Sequence, residues 1–201
     1  IRNGPDGNLW VADMYRYVIE HMQWLKTGGK EELEPLSREG DDRGRIWRVR
    51  KAGSKPAAPL DLEKADLVDL LKSPNGWVRD KAQQLILWRN EISLVTELKK
   101  LAAEGTDPRA RLHAICTLDG LGKLSESAIL TALRDSHPGV RENALRLAES
   151  HQSPEIVNAA LALVEDPAPK VRLQLAFSIG EFTRSKQTAV TLVKILNSER
   201  D

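Results

Sequence analysis

Ser73-Pro-Asn-Gly-Trp-Val-Arg79, Asp107-Pro-Arg-Ala-Arg111, Ser136-His-Pro-Gly-Val-Arg141 and Asp166-Pro-Ala-Pro-Lys-Val-Arg172 are four versions of one local design. Each is a turn built on proline, followed by an arginine near the start of a helix-patterned segment. The arginines are spaced 32, 30 and 31 residues apart, and Ala82, Ala114 and Ala144 each stand three residues past theirs. A steady period near 31 with two helices per unit is the mark of an α-solenoid. Each helix pair can bury its apolar face only by stacking on its neighbours. Small alanines at a fixed position let paired helices approach closely.

Outward from these turns the same pattern continues. Leu67, Val68 and Leu71 line one helix face, Val78, Ala82, Leu85 and Ile86 the next, and Leu94, Val95, Leu98 and Leu101 a third. Gly105 is expected to end that helix in the left-handed conformation glycine favours at a C-terminus. Asp107 before Pro108, Ser125, and Ser153 before Pro154 are helix starts, since a short polar side chain caps free N–H groups and proline fits the first turn. About nine helices of roughly 10–15 residues are expected from Asp61 onward, with no strand among them.

Residues 1–53 read differently, holding five of the nine aromatics and seven of the thirteen glycines. Asn3-Gly4-Pro5-Asp6-Gly7 is a dense turn signal. Leu9-Trp10-Val11-Ala12-Asp13 is a short strand-like run, and Ile46-Trp47-Arg48-Val49-Arg50 alternates as a half-buried strand does. Between them lies a polar insert with a short helix expected around residues 17–24. Ala52-Gly-Ser-Lys-Pro-Ala-Ala-Pro59 is a linker by composition. The chain therefore divides into a β segment over 1–51, a linker over 52–60, and a helical array over 61–201.

Charge and composition narrow the function classes. Thirty Lys and Arg against 29 Asp and Glu leave a net charge of +1, so no global field draws nucleic acid or an anionic membrane. Four His and the single Cys116 cannot build a Cys/His zinc site, and no disulfide can form within the chain. No apolar run approaches the ~18 residues of a membrane-spanning helix. The opening at Ile1 within a turn and the close on Asn197-Ser-Glu-Arg-Asp201 lead us to expect a piece of a longer polypeptide, so the missing targeting signal locates nothing.

The turn Asp-Pro-x-x-x-Val-Arg leading into an Ala/Leu-rich helix resembles HEAT repeats over about residues 61–200: four units plus the first helix of a fifth, Thr188–Leu196. Such arrays serve as scaffolds in many settings. The run from Gly4 to Arg16, then Val18-Ile-Glu-His21, then Asp41 to Val49 looks like the last blade of a β-propeller. It is similar to the propeller of membrane-bound dehydrogenases of planctomycete-type bacteria, in which a glucose/sorbosone-dehydrogenase-like propeller leads into HEAT repeats and a cytochrome c module usually follows. The fold class is thus mainly α, an α-solenoid of HEAT-like helix pairs preceded by part of a propeller blade. The resemblance implies a periplasmic or envelope location, a redox parent and haem c elsewhere in that parent. No Cys-x-x-Cys-His stands in this chain, which departs from the family there and holds no haem attachment site of its own. The cofactor of the propeller is not read from these residues.

No catalytic residues are identified. On the propeller resemblance, Tyr15, Arg16, Glu20 and His21 of the insert would stand nearest a ligand face. An arginine can clamp an anionic oxygen, and a glutamate or histidine can move a proton. The alternative is that Asp13, Arg16, Glu20 and His21 tie the insert to the blade edge, as loops require. The repeated arginines read as a structural ladder and not as a nucleic-acid stripe, because a cation at a helix N-terminus opposes the helix dipole and needs an acid partner. Asp135 and Asp166 each precede an arginine by six residues, giving a ladder of Arg79, Arg111, Asp135, Arg141, Asp166 and Arg172. Asp107 precedes Arg111 by four, and Ser73 takes the corresponding place before Arg79. His113 and Cys116, three apart beside Leu112 and Ile115, read as core packing, and Trp77 and Trp88 as packing at the first helix pair. Two function classes remain open: a spacer and interaction surface in a dehydrogenase-like protein, or a non-enzymatic scaffold. Both imply protein contacts through the array, with no nucleic acid and no membrane contact.

Overall fold

The computed structural model describes residues 1–19, 21–54 and 60–198. The chain is mainly helical with one small sheet, and it divides into two compact units. Ile1–Asp61 with Asn75–Trp77 form the first, Leu62–Pro74 with Val78–Asp201 the second. Most of the linker, residues 55–59, lies outside the described residues.

In the first unit, β1 (Arg2–Asn3), β2 (Leu9–Asp13) and β3 (Arg45–Val49) form an antiparallel sheet in the order β1-β2-β3. Leu9 pairs with Val49, Val11 with Trp47 and Asp13 with Arg45. The two-residue β1 is too short to carry an alternating pattern, and sequence reading misses it. The β1–β2 turn is held by Asp6, whose carboxylate accepts hydrogen bonds from Trp10 Nε1 at 3.0 Å and from the Asn8 backbone and side chain at 3.1 and 2.7 Å. The Trp10 and Asn8 bonds hold that carboxyl down at about 2. A Cβ on Gly4 would stand 2.1 Å from Trp10 Nε1, so the turn closes over the indole only with glycine there.

The helix expected around residues 17–24 is corrected. Among the described residues of that range only a 3-10 turn at Met22–Trp24 is found, and the helix of the insert, α1, falls at Thr27–Leu33. Gly28 and Gly29 stand in the first turn of α1, and glycine's poor helix propensity hid it. The unit buries little: Val18 is at 7% exposure, whereas Ile46, Trp47 and Val49 are at 70, 51 and 56%.

The second unit is helical, with no strand among its described residues. Its elements are α2 (Leu67–Leu70), α3 (Gly76–Trp88, opening in residues that cluster with the first unit), α4 (Val95–Glu104), α5 (Pro108–Gly120), α6 (Glu126–Ala132), α7 (Pro138–Ala148), α8 (Pro154–Leu161), α9 (Pro169–Ser178) and α10 (Lys186–Ser198). Several are shorter than expected: α2 has four residues, α6 seven and α8 eight, the last extended by a 3-10 segment at Ala162–Glu165. Caps set the starts. The side chains of Asp66, Asp107, Ser125, His137 and Ser153 accept the free N–H groups of α2, α5, α6, α7 and α8, and proline opens α5, α7, α8 and α9.

Packing repeats along the chain. Among the second helices of each pair, α5 contacts α7 and α7 contacts α9; among the first, α4 contacts α6 and α6 contacts α8. Within pairs α4 meets α5 and α6 meets α7. Ala82, Ala114 and Ala144 are fully buried where these helices approach, and Leu175 takes the same place in the fourth unit. Trp88 is 74% exposed and so is not the packing residue expected of it. Gly105 ends α4 for a different reason than expected. Its φ of −59° is not left-handed, but a Cβ there would lie 2.6 Å from the Leu101 carbonyl oxygen.

Candidate functional site

In the first unit, Tyr15 and Arg16 come together and His21 does not join them. Asp13, at the end of β2, accepts the Tyr15 N–H at 3.1 Å and Trp47 Nε1 at 2.9 Å. Tyr15 sits at φ 48°, uncommon for a residue other than glycine, with the Arg45 guanidinium 4.7 Å from its ring centroid. Arg16 donates to the Ser37 carbonyl at 2.8 Å and pairs with Asp41 at 2.9 Å, across the insert. A shallow depression of about 270 Å³ is lined by Tyr15, Arg16, Tyr17, Glu39, Gly40 and Arg43. The His21 ring instead packs at 5.2 Å from Trp24. Glu20 lies outside the described residues.

In the second unit the repeated arginines share one geometry. Nη1 of Arg79, Arg111 and Arg141 donates at 2.7 Å, and that of Arg172 at 2.8 Å, to the carbonyl six residues earlier: Ser73, Gly105, Asp135 and Asp166. That carbonyl belongs to the turn before the helix, so each arginine ties its own turn shut. The other edge of the guanidinium reaches the next unit. Arg111 grips Asp135 through Nε and Nη2 at 2.7 and 2.6 Å, and Arg141 grips Asp166 at 2.6 and 2.8 Å. Each aspartate also accepts the backbone N–H two residues on, from His137 and Ala168 at 2.8 and 2.9 Å. Burial pushes both carboxyls up, but the arginine hydrogen bonds and backbone N–H groups outweigh it and hold them below the ordinary aspartate value. A planar fork meeting a carboxylate on two atoms is the strongest form of such a pair.

The ladder is interrupted at one rung. Asp107 is not part of it: its carboxylate caps α5 at the Arg109 N–H, 2.8 Å, and pairs with the Arg109 guanidinium at 2.7 Å, which brings it to about 2. Gly105 stands where Asp135 and Asp166 stand in later units, six residues before the arginine, and it has no side chain to offer. Arg79 Nε is accordingly buried without a hydrogen-bond partner, alone in this among the described residues.

Other links between units carry no periodic signal in the sequence, because their residue types differ from unit to unit. His113 Nδ1 lies 2.7 Å from Gln83 Oε1, and His151 Nε2 lies 2.9 Å from Asp119. Ser178 donates to Glu149 at 2.6 Å, and Arg146 to Gln174 at 2.9 Å. Burial, with the nearby Arg79 charge, pushes the His113 pKa down, and burial pushes the Cys116 thiol up, so at neutral pH neither charged form is favoured. Among the described residues no three His, Cys, Asp or Glu side chains converge on a metal position, and no helix is long and apolar enough to cross a membrane. A covalently held haem does not fit this chain, whose one cysteine is half-buried in α5. Between α4 and α6 runs a groove of about 480 Å³ with a floor of Ala102, Ile115 and Val140 and a rim of Lys99, Ser127 and Arg134.

Comparison with known families finds a match at each end of the chain. Residues 1–53 match a domain of unknown function (DUF7133), and residues 126–201 match HEAT repeats. No curated protein and no solved structure matches the chain.

Proposed function

We propose that the helical unit is a solenoid scaffold that binds other proteins along its stacked helices. The observation that carries this reading is the use to which its charged groups are put. The aspartates and arginines with displaced pKa values, Asp107, Arg109, Arg111, Asp135, Arg141 and Asp166, close turns and join units. Displaced pKa values often mark catalytic groups, but structural ion pairs displace them too, and here each has a structural partner. The HEAT-repeat match and the repeated helix contacts support the same reading. The α4–α6 groove, with apolar residues on its floor and Lys99 and Arg134 on its rim, suits a helical or extended peptide with acidic flanks.

The resemblance of residues 1–51 to a propeller blade supports a more specific reading, in which the array spaces a sugar-dehydrogenase-like propeller from a haem c module of the same parent. The blade-like order β1-β2-β3 is consistent with it. A haem-attachment Cys-x-x-Cys-His in the parent polypeptide would support that reading, and a parent with further repeats alone would remove it. The scaffold itself is tested by affinity capture from the native source with the chain and with its Ala103→Glu/Ser127→Glu variant, both sites being exposed. A protein retained by the first, lost with the second, and rebinding at fixed stoichiometry when purified is the expected result. Equal capture by both contradicts a binding role for this groove.

A further inference from the structure

In α5, Leu112 and Cys116 stand one and five residues past Arg111 and pack against the core that holds Val140 and Ala144 of α7. In α9 the residues one and five past Arg172 are Leu173 and Phe177, and they are 56 and 67% exposed. A second set behaves the same way. Four, seven and eight residues past the cap Ser125 come Ile129, Ala132 and Leu133 of α6, exposed by 1, 5 and 1%. Ser185 caps α10 in the same register, accepting the Thr188 N–H at 3.1 Å. Four, seven and eight residues past it come Ala189, Leu192 and Val193, all exposed, with Leu192 at 38% and Val193 at 56%. Leu196 extends this stripe by one turn at 59%. One helix, α7, contacts both α5 and α6. Both exposed sets on α9 and α10 are therefore what a single helix in the position of α7 would cover.

We propose that this flank of α9 and α10 is a docking slot for one amphipathic helix of a partner protein, which would extend the row α5–α7–α9. Its chemistry follows from the helices that fill the equivalent places. α7 buries Val140, Ala144 and Ala148, and α9 with its C-terminal cap residue buries Val171, Leu175 and Ile179, so the occupant carries small or branched apolar side chains at i, i+4 and i+8. Apolar surface of this kind, uncovered on a helix already buried on its other side, marks an interaction site. The inference deepens the scaffold reading and rests on its repeat register.

The first test titrates a peptide with the sequence of Ser136–His151, which spans α7 and its turn, into the methyl-labelled chain. Saturable shifts at Leu173, Leu192 and Val193 are expected. A free helix of this length frays in water, so a second arm tethers it. The same sixteen residues replace those after Asn197, which stands 31 past Asp166 as Asp166 stands 31 past Asp135. Amide exchange in α10 is expected to slow at least tenfold relative to a scrambled graft, and Val193→Glu in the grafted chain to abolish the gain. The slot is overturned if ordered and scrambled grafts behave alike. It is equally overturned if the unaltered chain sediments as a dimer that Val193→Glu dissociates, because another copy then takes this face. Either failure leaves the stacking of α3 to α9, read by a separate experiment, undisturbed.

Discussion

Asp166 keeps only 3% of its side chain exposed and Arg141 12%, and every polar atom between them has a partner. Removing one member of such a pair strands the other, so Asp166→Ala is expected to cost about 3–5 kcal/mol in urea unfolding. Arg79→Met, at the rung where Gly105 supplies no acid, is expected to cost at least about 2 kcal/mol less than Arg141→Met, since no ion pair is lost. His113 gives a pH signature. Its folded-state pKa lies below the ordinary 6.5, so folding favours the neutral ring. Its contribution is complete above pH 6.5 and declines as pH falls from there toward the folded value. His113→Gln, which can still hydrogen-bond Gln83, is expected to flatten stability between pH 7 and 5. At this scale the sequence showed the arginines and two of their acids through strict spacing. It marked the break before Arg111 from the four-residue offset of Asp107, but it gave no sign that Gly105 takes the equivalent place, because a glycine carries no side chain to match.

Helices α5, α7, α8 and α9 were visible in the sequence because proline opens each of them, and three of the four also carry a side-chain cap. Residues at those ends act locally, so local patterns suffice. α1 and β1 escaped because neither depends on a local pattern: one has two glycines in its first turn and the other is two residues of a ladder. Gly105 shows the limit from the other side. A glycine at a helix end suggests a left-handed turn, yet here the requirement is the close approach of Leu101 O. Gly105→Ala must move that carbonyl or the turn and is expected to cost about 1–3 kcal/mol. Gly122, at φ 64° after α5, is the left-handed terminus of the kind expected at Gly105.

At the scale of the molecule, the two units differ in how they are held. The first has a three-stranded sheet whose large apolar residues stand mostly in the open, with Asp6, Asp13 and Arg16 tying loops by hydrogen bonds. A small sheet without an apolar cover is marginal in water, so its amides are expected to exchange well before those of α4 to α9 under native conditions. The second unit buries its helix faces in two apolar clusters, one from Leu67 to Leu118 and one from Ile115 to Ile195, with Ala102 and Leu124 packed against both. If stacking on neighbours is what stabilises those helices, damage must spread along the chain and fade with distance. Leu175→Ala, at a fully buried site in α9, tests this most directly by hydrogen exchange. Protection is expected to fall most in α8, α9 and α10, less in α6 and α7, and hardly at all in α3 and α4. A uniform loss across all these helices would mean that they share one closed core, and the repeat account would be wrong.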